Sequence, residues 1–143
     1  MFTIFCILWQ QNEPDYYMES NISNYADHSR RINFNILKGI ITLEKLEEYL
    51  KNRFVSEGYH ADYNILVDIR EAELSDFYPK MEVFANYFIN SSEATNWKRK
   101  CAIVTSTPEE VVIIEILKDK LKSRNFDLIL EVFSTTEAAL FWL

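Results

Sequence analysis

Ile32-Asn33-Phe34-Asn35-Ile36 alternates apolar and polar residues with period two, which predicts a half-buried strand. Upstream, residues 16–22 are rich in aromatics and predict a short strand, while the polar residues 23–30 predict a turn. The two strands are close enough in sequence to pair as an antiparallel hairpin. Beyond Thr42 the period lengthens: Leu43, Leu46, Leu50 and Phe54 recur at helical spacing, with Glu44, Glu47, Glu48 and Lys51 on the other faces. Gly58 falls where that helix would end.

Residues 64–69 are apolar at Ile65, Leu66, Val67 and Ile69, which predicts a strand buried on both faces. A second helix is expected to start between Asp76 and Pro79 and to bury Met81, Phe84 and Phe88. Residues 101–104 form another apolar strand, and Thr107-Pro108-Glu109-Glu110 is a capping box that opens a helix carrying Val111, Ile114, Leu117 and Leu121 inward. A last strand at 128–133 leads through Ser134-Thr135-Thr136-Glu137 into a terminal helix. From residue 32 onward the order is therefore β-α-β-α-β-α-β-α, the signature of an α/β domain with a largely parallel sheet and an N-terminal antiparallel strand pair.

Composition narrows the function classes. A chain of 143 residues, 48% hydrophobic and 26% charged, fits one globular domain spanning 1–143, with 1–15 as an N-terminal extension of uncertain role. The apolar run at 2–9 is too short to span a bilayer and lacks the basic start of a secretory signal. It reads as a strand and apolar cover for the sheet, or as residues upstream of a start at Met18. The two glycines, Gly39 and Gly58, stand too far apart for a phosphate loop or a dinucleotide fingerprint. A net charge of −7 argues against nucleic acid and anionic membrane surfaces as partners. Cys6 and Cys101 sit in apolar runs and read as buried thiols of a reducing cytoplasm, with a disulfide between them as the alternative.

The densest chemistry lies where the 64–69 strand passes into the next helix. Asp68, Arg70, Glu71, Glu73, Ser75, Asp76, Phe77 and Tyr78 follow one another there in an acidic loop. In α/β sheets, sites gather at the carboxyl ends of strands, so this junction is the candidate interaction loop. Its carboxylates suit a divalent cation, a basic partner or an acid–base pair. The commoner outcome is a helix cap at Asp76 with the remaining charges solvated. His28 and His60 stand in polar segments without metal-ligand spacing, and no cofactor is implied. Trp97-Lys98-Arg99-Lys100 fits a phosphate or acidic partner, or a polar collar before a buried strand.

Leu37-Lys38-Gly39-Ile40-Ile41-Thr42-Leu43-Glu44, Ile65-Leu66-Val67-Asp68-Ile69-Arg70, residues 99–104 and residues 132–143 together resemble the STAS domain. The closer likeness is to stand-alone bacterial proteins of the SpoIIAA-like fold, such as anti-sigma-factor antagonists, over residues 16–143. The resemblance implies a non-enzymatic regulatory or protein-interaction module with a protein partner or self-association, for example as a dimer. In the antagonists a serine after the second aspartate is phosphorylated. Asp68 and Asp76 match the two aspartates, but Phe77 stands at the phospho-acceptor position, leaving Ser75 displaced. The resemblance also places most helices on one side of the sheet, so the other apolar face needs a cover. Residues 2–9, Tyr16-Tyr17-Met18 or a second copy are the candidates. The alternative function is a small apolar ligand or lipid binder of the Sec14-like type, for which the aromatics would line a pocket.

Overall fold

The computed structural model, which describes residues 20–91 and 97–143, alternates five strands with four helices. Strand β1 (Asn21–Asp27) pairs antiparallel with β2 (Ile32–Ile40), and helix α1 (Leu43–Phe54) follows. Strand β3 (Asn64–Glu73) leads through a 3-10 turn (Tyr78–Lys80) into α2 (Met81–Asn90). Then come β4 (Lys100–Val104), α3 (Pro108–Ser123), β5 (Ile129–Phe133) and α4 (Thr136–Trp142). The sheet order is β1-β2-β3-β4-β5, and β2 through β5 run parallel. The predicted strand at 2–9, the turn at 10–15, Cys6 and the candidate cover Tyr16-Tyr17-Met18 lie outside the described residues.

Strand order follows chain order, and crossovers between parallel strands are right-handed. The three crossover helices α1, α2 and α3 therefore fall on one face. Leu43, Met81, Phe84, Ile114, Leu117 and Leu121 from these helices form one core cluster with Leu37, Ile69, Ile103 and Leu130 of the sheet. The other face carries Ile32, Phe34, Leu66, Ala102 and Val104, and it is α4 that covers part of it through Ala139, Leu140 and Trp142. Tyr25 of β1 stacks on Phe34 on that face, with ring centroids 4.7 Å apart. Each wholly buried aliphatic, such as Leu66 or Leu121, contributes about 1.5–3 kcal/mol relative to its exposed state.

Helix ends follow the local chemistry read from sequence. The side chains of Thr42, Thr107 and Thr135 accept from the backbone N–H three residues on, capping α1, α3 and α4. The Glu110 carboxylate reaches back to the N–H of Ser106 at 3.2 Å, one residue before the cap. Helix α3 ends in a Schellman motif: Asn125 has φ 62°, Phe126 N–H donates to Leu121 O at 3.0 Å, and Asn125 N–H donates to Lys122 O at 3.0 Å. Met81, Phe84 and Phe88 are buried as expected.

Two expectations are corrected. The polar stretch 23–30 is not one turn; Asn21–Asp27 is an edge strand whose backbone bonds are satisfied by β2 whatever its side chains. The turn is compressed into residues 28–31, where the Asp27 carboxylate accepts from Ser29 Oγ at 2.8 Å and Arg30 N at 3.0 Å. The acidic loop after residue 69 is instead the second half of β3, in which Glu71, Ala72 and Glu73 pair with Lys38, Gly39 and Ile40. Its carboxylates point to solvent, so the apolar run ended while the strand did not.

Candidate functional site

The strand-end residues separate once placed in the fold. A β-bulge between Asp68 and Glu71 re-aims β3, and Arg70 folds back on Asp68. The guanidinium donates to both Asp68 oxygens, at 3.0 and 2.7 Å, and also to Thr136 Oγ1 at 3.1 Å. Ser106 Oγ donates to the Arg70 carbonyl at 3.1 Å. These bonds tie the end of β3 to the first turn of α4 and to the loop before α3. The Arg70 hydrogen bonds hold the Asp68 carboxyl below the usual carboxylate range. Asp68 is thus an ionised, paired anchor.

The remaining predicted residues disperse. Glu71 pairs with Lys38 at 3.2 Å, and Glu73 accepts from Ser75 Oγ at 3.1 Å. Asp76 does not cap a helix; its carboxylate lies 3.4 Å from Lys80, which also reaches Glu44 at 3.2 Å. Phe77 is only 4% exposed and packs on Phe84 in the core, which removes it from the predicted surface loop. Tyr78, 55% exposed, stays outside.

The larger feature lies beneath, between the sheet and its crossover helices. Among the described residues a cavity of about 170 Å³ is walled by aliphatic and aromatic side chains, including Leu46, Leu50, Val67, Phe84 and Leu117. Ile65 and Val67 are only half-buried although they sit on the central strand under the helices, because part of their surface faces this space. Asn33, Asn35, Tyr49 and Arg53 also line it. The period-two pattern of β2 predicts a half-buried strand, but residues 32–35 are all buried: the asparagines face the helices, and Asn33 is 1% exposed.

Sequence reasoning missed Arg53. The residue stands seven positions after Leu46 and four after Tyr49, on the inward face of α1. That spacing was the available signal. Arg53 is 7% exposed, its Nη1 donates to Ser56 Oγ at 3.0 Å, and its guanidinium lies 5.2 Å from the Tyr59 ring centroid. Asn33 Nδ2 donates to the His60 carbonyl at 2.8 Å, and Tyr49 Oη donates to Asn35 Oδ1. Burial pushes the Tyr49 phenol above its usual range, so it is a neutral donor.

Other candidates take structural places. His28 and His60 meet with ring centroids 5.1 Å apart, and His28 Nδ1 lies 3.1 Å from Tyr63 Oη. Among the described residues no group of three or more His, Cys, Asp or Glu side chains is placed to hold a metal. Burial pushes the Cys101 thiol up to about 12, which removes it as a nucleophile near neutral pH. Arg99 is not part of a solvated collar; it is buried, with its guanidinium 4.0 Å from the Trp97 ring centroid.

No family model and no curated protein matches the chain. Among solved structures it is similar to an uncharacterized protein from the DUF3478 family with a SpoIIAA-like fold from Shewanella loihica PV-4. The TM-score is 0.53 and the identity 15%, over 87% of this chain and 94% of that one. At that identity the likeness speaks for the backbone alone, and with the mixed five-stranded sheet it establishes a SpoIIAA-like fold for this chain.

Proposed function

We propose that this chain is a non-enzymatic binding module that takes a small apolar ligand between its sheet and its crossover helices. The observation that carries this reading is the cavity of about 170 Å³. Protein interiors are normally packed to crystal density. At roughly 24 cal/mol per Å³, a fully enclosed void of this size would cost about 4 kcal/mol, an upper bound for a space that opens toward the surface. That is a large share of the 5–15 kcal/mol by which domains are stable. An apolar occupant restores the missing contacts. Native mass spectrometry of freshly purified protein tests for a retained small molecule, and titration with benzene tests the space itself. Benzene is expected to shift the methyl resonances of Leu46, Leu50 and Val67. A clean apo mass together with unmoved methyl resonances sinks the reading.

A second reading, a regulatory module that binds a protein partner or itself, draws support from the SpoIIAA-like fold and from the exposed edge of Glu71, Glu73, Ser75 and Tyr78. Its test is mass measurement in solution with affinity capture under mild lysis. A strict monomer that captures no protein removes it. Either function suits a cytoplasmic protein: the described cysteine, Cys101, is a free buried thiol, and no helix among the described residues is long and apolar enough to cross a membrane.

A further inference from the structure

We infer that the ligand of this cavity is a monocarboxylate, an apolar body of about the size of one ring or one short alkyl chain, with its carboxylate held by Arg53. The inference rests on the ligand-binding reading above and goes further by assigning the head group.

A guanidinium with 7% exposure is an expensive group to bury without an opposite charge. No carboxylate among the described residues pairs with Arg53; its Nη1 donates to Ser56 Oγ at 3.0 Å, and the Tyr49 phenol lies beside the guanidinium. The C-terminal end of α1 and the Tyr59 ring favour a cation there, yet neither accepts a hydrogen bond from Nε. Nε is buried and has no partner. A buried guanidinium N–H left open in this way is a charge-assisted donor suited to a carboxylate oxygen.

Asn33 also lines the space. Its Nδ2 donates to the His60 carbonyl at 2.8 Å, which fixes the amide orientation. Oδ1 is then left buried without a donor. That oxygen borders the same space but calls for a donor, which an ionised carboxylate lacks, so the head group is assigned by Arg53 alone.

Charge and size choose among anions. One guanidinium balances one negative charge, whereas a phosphate dianion in apolar walls would need further donors. A cavity of 150 Å³ holds benzene, so about 170 Å³ admits a ring or a short chain rather than a long acyl lipid.

The test is calorimetric titration at pH 7 with hexanoate and with 1-hexanol, against wild type, Arg53→Met and Arg53→Lys. Wild type is expected to bind hexanoate about tenfold or more tighter than hexanol. Arg53→Met is expected to lose that preference while still binding hexanol, and Arg53→Lys to keep part of it. Equal affinity of wild type for the two probes overturns the carboxylate assignment, as does a preference that survives in Arg53→Met. In both cases benzene still moves the lining methyl resonances, so the cavity reading stands. If benzene, hexanol and hexanoate all leave those resonances unmoved, the cavity reading has failed and this inference falls with it. The wild-type comparison decides by itself if Arg53→Met does not fold.

Discussion

Val67→Ile separates a real void from a filled core by the sign of its effect on stability. Val67 sits mid-strand on β3, faces the crossover helices and borders the cavity. Isoleucine keeps the β-branch that suits a strand and adds one methylene, which would enter existing space. Burying that group stabilises by about 0.8 kcal/mol. In a core already at full density, the same methylene would force neighbours off their rotamers at a cost of roughly 1–3 kcal/mol. The two cases thus differ by at least about 2 kcal/mol. Urea unfolding, on protein refolded from urea to strip any ligand, should show a higher midpoint with an unchanged slope. The melting temperature should rise by roughly 2–4 °C. Benzene affinity should fall, since the variant occupies part of its space. Destabilisation by 1 kcal/mol or more would refute the reasoning.

Asp68→Asn removes the carboxylate that anchors Arg70, and should lower the melting temperature at pH 7. The folded-state carboxyl lies below its unfolded value, so its contribution is present above the unfolded pKa near 4 and is lost as pH falls through the folded one. Melts from pH 7 down to pH 2.5 should therefore show wild type and variant converging in acid; parallel curves would place the effect elsewhere. Thr107→Ala deletes the cap of α3 and should cost about 1 kcal/mol in urea unfolding, with Thr107→Ser close to wild type. Cys101, its thiol pushed up to about 12 by burial, should react with a disulfide reagent at pH 8 only after unfolding. Prompt labelling of native protein at that position would show that β4 is not shielded.

The elements were legible where apolar periodicity and turn chemistry agreed. Thr107-Pro108-Glu109-Glu110 opens α3 as its residues dictate, and Ile65, Leu66, Val67 and Ile69 do divide between the two faces of the sheet. Legibility failed where a residue's environment came from distant chain. Glu71 and Glu73 look like loop residues because their side chains are solvated, yet β2 holds their backbone. Asn33 and Asn35 look like a solvent face because periodicity reports that a strand has two sides without saying which is covered. Arg53 looks like the polar side of a helix until Leu46 and Tyr49 are seen on the same stripe. Of the candidate interaction loop, Asp68 and Arg70 are brought together, and Arg70 also bonds Thr136 at the start of α4, a contact with distant chain that no local pattern announces.

The match between strand order and chain order has a consequence for where any ligand can lodge. Sheets that reverse their winding open a crevice at the strand tips, between two neighbouring connections that leave on opposite faces. This sheet winds in one direction from β2 to β5, so no pair of its crossover helices parts in that way. Among the described residues the space that is seen lies instead in the layer between helices and sheet, where its capacity depends on how far α1 and α2 stand off the strands. If the proposed ligand lodges there, helix-face positions such as Leu46, Leu50 and Arg53 set its selectivity.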